Sequence, residues 1–179
     1  MRVRNTAGSP GYGAVRRAAA VAASVVVTLA LAVGCTTADP DPRAYPSSPK
    51  GQTLEGVAKA FGLDLPACDL QGVGFSGSAK YPGQNLNLSF RASKDCVDRF
   101  LSAHSADLAR PVHWTPGQGN QTGFDDAETR GFGWTFDKAV TYDLFVDFKT
   151  STGSRFSVVV DPGQTERTVY MESRYLGGS

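Results

Sequence analysis

Few side chains in this sequence have the types and the spacing that catalysis requires. The chain contains two histidines, His104 and His113. A histidine that shares a cleft with a carboxylate is a general base for hydrolysis, and Asp125 and Asp126 follow His113 in the same loop-rich region. His113 with either aspartate is therefore the candidate for a hydrolytic site, which requires that these groups meet in one concave pocket.

The remaining patterns indicate no catalytic or metal site. The stretch GFSGS (74–78) lies in alternating, strand-like sequence, whereas a nucleophile of the GxSxG type needs a sharp turn between a strand and a helix. Asp125, Asp126 and Glu128 lack the Asp-x-Asp-x-Asp-Gly spacing of a calcium loop. The cysteines form neither a CxxC redox pair nor a metal-ligand cluster. We therefore expect a protein without enzymatic activity, metal or cofactor.

The first 34 residues have the pattern of a secretory signal peptide. Residues 1–17 carry four arginines and no acid, and Ala18–Gly34 is uncharged and rich in Ala, Val and Leu. A basic start, an apolar centre and small residues at the end are typical of a signal peptide that is removed. A transmembrane anchor is the alternative, but it needs about 20 apolar residues to cross the hydrocarbon, and this segment is shorter. Removal of residues 1–34 is the favoured interpretation.

Cys35 stands directly after this segment, in Leu31-Ala32-Val33-Gly34-Cys35. These residues resemble the lipobox of bacterial lipoproteins. The resemblance implies cleavage before Cys35, transfer of diacylglycerol to its thiol, palmitate as a further lipid of the anchor, and anchoring at the extracellular face of the cell membrane. The Ala-rich signal, the Pro-rich segment and the size of the domain are similar to those of small lipoproteins of unassigned function in high-GC Gram-positive bacteria. This resemblance implies no catalytic residues.

The other two cysteines, Cys68 and Cys96, are predicted to form a disulfide. An odd cysteine count in an exported chain leaves one thiol over, and a lipid on the first cysteine accounts for it. Apolar residues alternate on both sides of Pro82-Gly83, which predicts a hairpin with Phe75 opposite Phe90. The same register brings the two cysteines together beyond the open end of the hairpin. Two buried reduced thiols are the alternative.

The composition divides the rest of the chain into a tether and one domain. Residues 35–50 comprise Cys35 and a segment with four prolines, which predicts an extended tether of up to roughly 45 Å. Residues 51–176 are long enough for one hydrophobic core. After cleavage the chain has 14 basic and 17 acidic side chains, a net charge of −3. This balance excludes an electrostatic surface for nucleic acid and leaves membrane attachment to the lipid.

Two short helices are predicted from capping residues and apolar periodicity. Thr53 caps the first helix, which ends at Gly62, and Ser93 caps the second. The apolar face of the first consists of Leu54, Val57, Ala58 and Phe61. The apolar face of the second consists of Cys96, Val97, Phe100, Leu101 and His104. His104 is therefore expected to pack in the core.

Three strands are predicted near the C-terminus, at 140–150, 155–161 and 166–174, with turns between them. They should form an antiparallel meander. In the first of them Val146 is expected to point inward and Phe145 outward. Together with the hairpin, these strands predict an α+β fold, in which two short helices lie on one face of an antiparallel sheet of five to six strands.

Residues 107–139 are rich in Gly and turn residues yet contain both tryptophans. Long loops are often functional, and exposed aromatic side chains can hold a glycan or a protein partner. The candidate binding surface comprises His113, Trp114, Phe132, Trp134 and Phe145. The alternative is that Gly131–Phe136 is a short strand whose aromatic side chains cover the sheet. The covering interpretation is favoured because aromatic side chains bury large areas.

Three functions remain open at the level of sequence. The favoured one is a lipid-anchored binding or interaction module of the cell envelope, whose partner is an unknown envelope protein or glycan. The second is a small envelope hydrolase that uses His113. The third is an accessory structural lipoprotein without a ligand site.

Overall fold

The fold is described from a computed structural model. The structure describes residues 39–80, 85–117, 124, 129 and 131–173. The predicted signal peptide, Cys35, the predicted turn at Pro82-Gly83 and the acidic residues Asp125, Asp126 and Glu128 lie outside the described residues.

Both predicted helices are present and begin at the predicted caps. Helix α1 spans Leu54–Ala60, and the Gly56 amide donates to Thr53 Oγ1 at 3.2 Å. Helix α2 spans Lys94–Ala103, and Ser93 caps it through the amide of its third residue. Neither helix is long and apolar enough to cross a membrane, and the described residues contain no other candidate span.

Within the described residues, six strands form one antiparallel sheet, which confirms an α+β fold dominated by sheet. The sheet order is β1-β2-β6-β5-β4-β3. The C-terminal meander β4-β5-β6 is confirmed. The short edge strand β3 was not predicted. The strands are β1 Gln71–Ser76, β2 Asn87–Ser93, β3 Val112–Trp114, β4 Tyr142–Lys149, β5 Arg155–Val160 and β6 Glu166–Ser173.

The β1–β2 pairing differs from the predicted register. Phe75 lies opposite Leu88 rather than Phe90, a displacement of two residues. Because side chains alternate with a period of two, this displacement leaves each side chain on its predicted face. The ladder stops early because the chain after β1 turns toward the start of α1, where the Ala79 amide donates to Gln52 Oε1 at 2.9 Å.

Strand β4 corrects a second prediction. Phe145 is 6% exposed and Val146 is 47% exposed, the reverse of the expected arrangement. Between Phe145 and Phe148 the pairing with β5 shifts, so that two residues of β4 stand opposite one residue of β5. A bulge of this kind interrupts the alternation along a strand. As a result, Phe145 and Phe148 pack in the same core.

In the part of the chain that the structure describes, buried apolar side chains form two separate clusters. The main core contains residues of α1, of α2 and of the sheet, and the described members of the aromatic cluster include no residue of either helix. Adjacent residues Val158 and Val159 of β5 belong to different clusters, so the two clusters lie on opposite faces of the sheet. The aromatic cluster consists of Trp114, Phe124, Trp134, Tyr142, Leu144 and Val159, with Tyr45, Phe132, Phe136, Val140 and Tyr170 packed against it.

Residues 41–48 dock on the domain, which differs from the tether expected for this segment. The Tyr45 amide donates to Phe75 O at 2.7 Å, and the Phe75 amide donates to Arg43 O at 3.0 Å. Asp41 accepts from the Arg43 guanidinium at 2.8 Å and from the first amide of α1 at 3.0 Å. The segment docks because its backbone and side chains find hydrogen-bond partners that a free proline-rich chain lacks.

Candidate functional site

The five residues of the predicted binding surface do not form one exposed surface. Trp114 and Trp134 are 7% and 6% exposed, and both belong to the aromatic cluster. Phe132 is half-buried against the same cluster. Phe145 lies in the main core, on the opposite face of the sheet. His113 is exposed on β3.

The aromatic side chains cover one face of the sheet, as the covering interpretation predicts. The predicted strand over 131–136 is wrong, because this segment is a turn followed by irregular chain. The Trp134 amide donates to Thr129 O at 3.2 Å, and the indole packs on the ring of Tyr170 in β6, 5.3 Å between centroids. The tryptophans therefore serve packing within the domain.

Tyr45 fixes the docked segment to this cluster through its hydroxyl. Trp134 Nε1 donates to Tyr45 Oη at 2.8 Å, and Ser89 Oγ lies 2.6 Å from the same oxygen. Burial raises the pKa of the Tyr45 hydroxyl, although both hydrogen bonds oppose the shift. A Cβ at Gly74 would overlap the Tyr45 ring, so β1 needs glycine at this point.

His113 faces a different carboxylate from the one proposed for hydrolysis. It lies opposite Asp143 in the β3–β4 pair, with its Nδ1 3.5 Å from Asp143 Oδ1. The His113 side chain is 71% exposed. Asp125 and Asp126 lie outside the described residues. The described surroundings of His113 are thus an open strand edge rather than a concave pocket.

A cleft of about 540 Å³ opens beside the C-terminal half of α2, and we call it the His104 cleft. Helix α2 lines it with residues at i, i+3, i+4 and i+7, which form one helix face. The other walls come from residues 64–68 and from the turn at 149–151. The helix residues are Cys96, Arg99, Phe100 and Ala103, followed by His104 and Ser105.

The His104 ring is fixed by packing and by one hydrogen bond. It stacks on Phe148 with 4.5 Å between ring centroids, and it contacts Phe100 at 4.9 Å. Nδ1 lies 2.9 Å from Phe100 O. A carbonyl oxygen accepts but cannot donate, so Nδ1 carries the hydrogen and the Nε2 of a neutral ring has a free lone pair.

The Nε2 atom of His104 is accessible from the cleft. Among the described residues it has no hydrogen-bond partner. No side-chain nitrogen or oxygen in this part of the chain is both enclosed and unpartnered, so Nε2 is in reach of solvent. The residue as a whole is only 7% exposed. A buried ring with one open acceptor atom is a preorganised hydrogen-bond site for a small molecule.

Two cationic residues line the cleft without a carboxylate partner. Within the described ranges, neither the Arg99 guanidinium nor the Lys149 ammonium group forms an ion pair or a side-chain hydrogen bond. Lys149 stands directly opposite Arg155 in the β4–β5 ladder, and like charges in such a position destabilise a sheet. Asp64 is the acidic residue in the lining.

Ser105 adopts a backbone conformation that favours glycine, with φ of 67°. It follows the last turn of α2, where the Ala106 amide donates to Leu101 O at 3.1 Å and the Ser105 amide donates to Ser102 O at 3.2 Å. These two bonds define a Schellman motif, which normally has glycine at the Ser105 position. The serine places an exposed hydroxyl in the lining of the cleft instead.

The predicted disulfide is confirmed, and it forms one wall of the His104 cleft. Cys68 and Cys96 are bonded, with 6.5 Å between their Cα atoms. Cys96 lies in the first turn of α2 and Cys68 in the loop before β1. The helix therefore brings the two cysteines together, rather than the continuation of the hairpin register used to predict the pair.

The apolar periodicity of α2 predicts a buried His104 but not the cleft beside it. The signal for the cleft in the sequence is Arg99, which borders the apolar face of α2. Among the described residues, no three His, Cys, Asp or Glu side chains are grouped to hold a metal ion. Comparison with protein-family models, with curated proteins and with solved structures found no match to this chain.

Proposed function

We propose that this chain is a lipid-anchored binding protein on the extracellular face of the cell membrane. The observation that carries the anchoring is the disulfide between Cys68 and Cys96. Disulfides persist in oxidising compartments outside the cytosol. With these two cysteines paired, Cys35 is the odd thiol of the chain, and it follows the signal-like segment directly.

The binding activity rests on the His104 cleft. Its volume of about 540 Å³ falls in the range of small-molecule sites, and it combines apolar walls with polar groups that have no partner within the described residues. A small solute or one unit of an envelope glycan fits this description better than a flat protein partner does. The shared main core supports placement of both helices on one face of the sheet, which leaves the end of α2 free to form the cleft.

Docking of residues 41–48 limits how far the domain extends from the membrane. If Cys35 carries the lipid, only residues 36–40 separate it from Asp41, the first docked residue. Six residue steps span at most about 20 Å when fully extended. The domain is therefore held close to the lipid headgroups, at less than half the reach expected from a tether that extends to residue 50.

Intact mass tests the anchoring. We would extract the protein from membranes with detergent and measure it beside a Cys35→Ala variant. We expect loss of residues 1–34 and a gain of acyl chains in the parent protein alone. Cys68 and Cys96 should resist alkylation until they are reduced. A parent chain that keeps residues 1–34, or that accumulates in the medium without lipid, would contradict the proposal.

A further inference from the structure

We propose that the His104 cleft binds a small organic acid that carries a hydroxyl group on an apolar ring. The acid group lies at Arg99, and the hydroxyl donates to Nε2 of His104. This inference rests on the proposed binding function and gives it a ligand class.

Arg99 accounts for the acid group. Arg43, Arg91, Arg110 and Arg167 have carboxylate partners, whereas Arg99 and Arg155 have none among the described residues. Of these two, Arg99 lines the concave site. Lys149 also lines it, but from a strand position whose side chain alternates away from the Phe148 face. A ligand carboxylate would give Arg99 a charge-assisted pair. Asp64, in the same lining, disfavours acids of higher charge.

The tautomer of His104 is the reason for proposing a hydroxyl group in the ligand. Because Nδ1 donates to Phe100 O, the open Nε2 of the neutral ring can only accept. A ligand group that hydrogen-bonds to Nε2 must therefore be a donor. A carboxylate alone provides none, whereas an alcohol or phenol does. Stacking on Phe148 holds the ring in place, so the direction of this hydrogen bond is set before the ligand arrives.

The apolar walls of the cleft are the reason for proposing an apolar ring in the ligand. Leu65, Pro66 and Phe100 line the cleft together with the disulfide. An apolar ring that covers these groups removes their surface from water, which favours binding. The volume of about 540 Å³ accommodates one ring with its two substituents, as sites for compounds of this size do.

Three simple probes test the proposal on the membrane-extracted, lipidated protein in nanodiscs. The probe 4-hydroxyphenylacetate carries both groups, phenylacetate lacks the hydroxyl, and 4-hydroxyphenylethanol lacks the acid. Side-chain nitrogen NMR of the two histidines reports binding, with His113 as the internal control. We expect 4-hydroxyphenylacetate to shift His104 Nε2 in a saturable manner and to leave His113 unchanged. Loss of one charge-assisted hydrogen bond in Arg99→Gln should weaken binding by roughly tenfold.

Lys138→Gln is the matched control, because Lys138 is an exposed lysine that does not line the cleft. It should bind the full probe like the parent protein. An unchanged His104 signal with every probe, or equal affinity of Arg99→Gln and the parent, would overturn the proposed ligand class. Equal affinity for phenylacetate and 4-hydroxyphenylacetate would overturn the role of His104.

These results are separable from the anchoring proposal. If the lipidated protein binds none of the three probes, the ligand class is wrong and the anchoring proposal stands. If intact mass shows no lipid, the same titration is made on the full chain in buffer without nanodiscs, and binding of 4-hydroxyphenylacetate there supports the cleft while the proposed location is wrong.

Discussion

The two faces of the sheet are covered in different ways. The main core is aliphatic and phenylalanine-rich, and the helices that contribute to it are short, well capped and close in sequence to the strands they join. The aromatic cluster gathers side chains from residue 45 to residue 170, and hydrogen bonds at Tyr45 hold part of it. One side is stabilised by shape and apolar area, whereas the other also depends on a few polar atoms.

The two clusters should therefore lose stability through different substitutions. Removing volume should damage the main core most, because its stability depends mainly on close packing and buried apolar area. Removing one oxygen atom should damage the aromatic cluster, because the loss leaves an indole and a hydroxyl without a partner. The following substitutions test this contrast.

The largest effect is expected for Phe148→Ala. Phe148 is fully buried between His104, Phe100 and Phe156, so its truncation should lower the free energy of unfolding by about 3–5 kcal/mol. The same change at half-buried Phe136 should cost about half as much. Urea denaturation followed by tryptophan fluorescence measures both. Equal losses at the two positions would break the comparison.

Removal of the disulfide comes next. The bridge joins residues that are 28 apart, so the double variant Cys68→Ala and Cys96→Ala should lose roughly 3.5 kcal/mol through the greater entropy of its unfolded chain. Reductant should lower the stability of the parent protein by a similar amount and leave the double variant unchanged. A double variant that still responds to reductant would show that another group is the target.

Tyr45→Phe tests the polar side of the comparison. The change removes one oxygen, but it deprives Trp134 Nε1 and Ser89 Oγ of their partner, which should cost about 1–3 kcal/mol. Tyr170→Phe is the matched control, since the Tyr170 hydroxyl has no hydrogen bond among the described residues. Chemical denaturation should show little change for this control. A loss as large as that of Tyr45→Phe would refute the role given to the Tyr45 hydroxyl.

Asp41→Asn tests whether the docked segment depends on charge. The Arg43 guanidinium holds the pKa of Asp41 well below its usual range. A lowered folded-state pKa stabilises the protein above the ordinary carboxyl pKa, and the contribution fades as the pH falls through about 4. Because Arg43 is partly exposed, the variant should lose only about 1–2 kcal/mol at neutral pH.

The pH dependence provides the check on Asp41→Asn. The difference in unfolding free energy between the variant and the parent should shrink steadily below about pH 4, toward the lowered pKa of the folded state. Asp147→Asn serves as the control, because Asp147 is exposed and has no ion pair in the described part of the chain. A difference that stays constant into acid would rule out the ion pair as its cause.

The smallest effect is a gain in stability from Ser105→Gly. Its φ of 67° is strained for serine and free of strain for glycine, so the variant should be more stable by about 0.5–1 kcal/mol. Ser102→Gly, an exposed position inside α2, should instead lose a similar amount. Thermal unfolding distinguishes the two signs. A loss at Ser105 would indicate that its hydroxyl stabilises the wall of the cleft.

Sequence patterns predicted the main core better than the aromatic cluster. The apolar faces of both helices, their capping residues and the meander are confirmed because each follows from residues only a few positions apart. The exposure of Phe145 was predicted wrongly, since a bulge depends on how two strands fit together and not on the residues of one strand. The His104 cleft was missed because its walls come from three separate stretches of chain.

Caps and periodicities among neighbouring residues predicted the two helices and the C-terminal strands. The cysteine count predicted the partners of the disulfide, because the lipid accounts for the third cysteine. Only the tertiary structure showed that residues 41–48 dock, that β3 completes the edge of the sheet and that Trp134 hydrogen-bonds to Tyr45. These outcomes depend on contacts between residues tens of positions apart. Whether such a contact forms depends on its free energy relative to that of alternative contacts and of solvated chain. That balance involves residues far apart in the sequence, so no short pattern of residues encodes it.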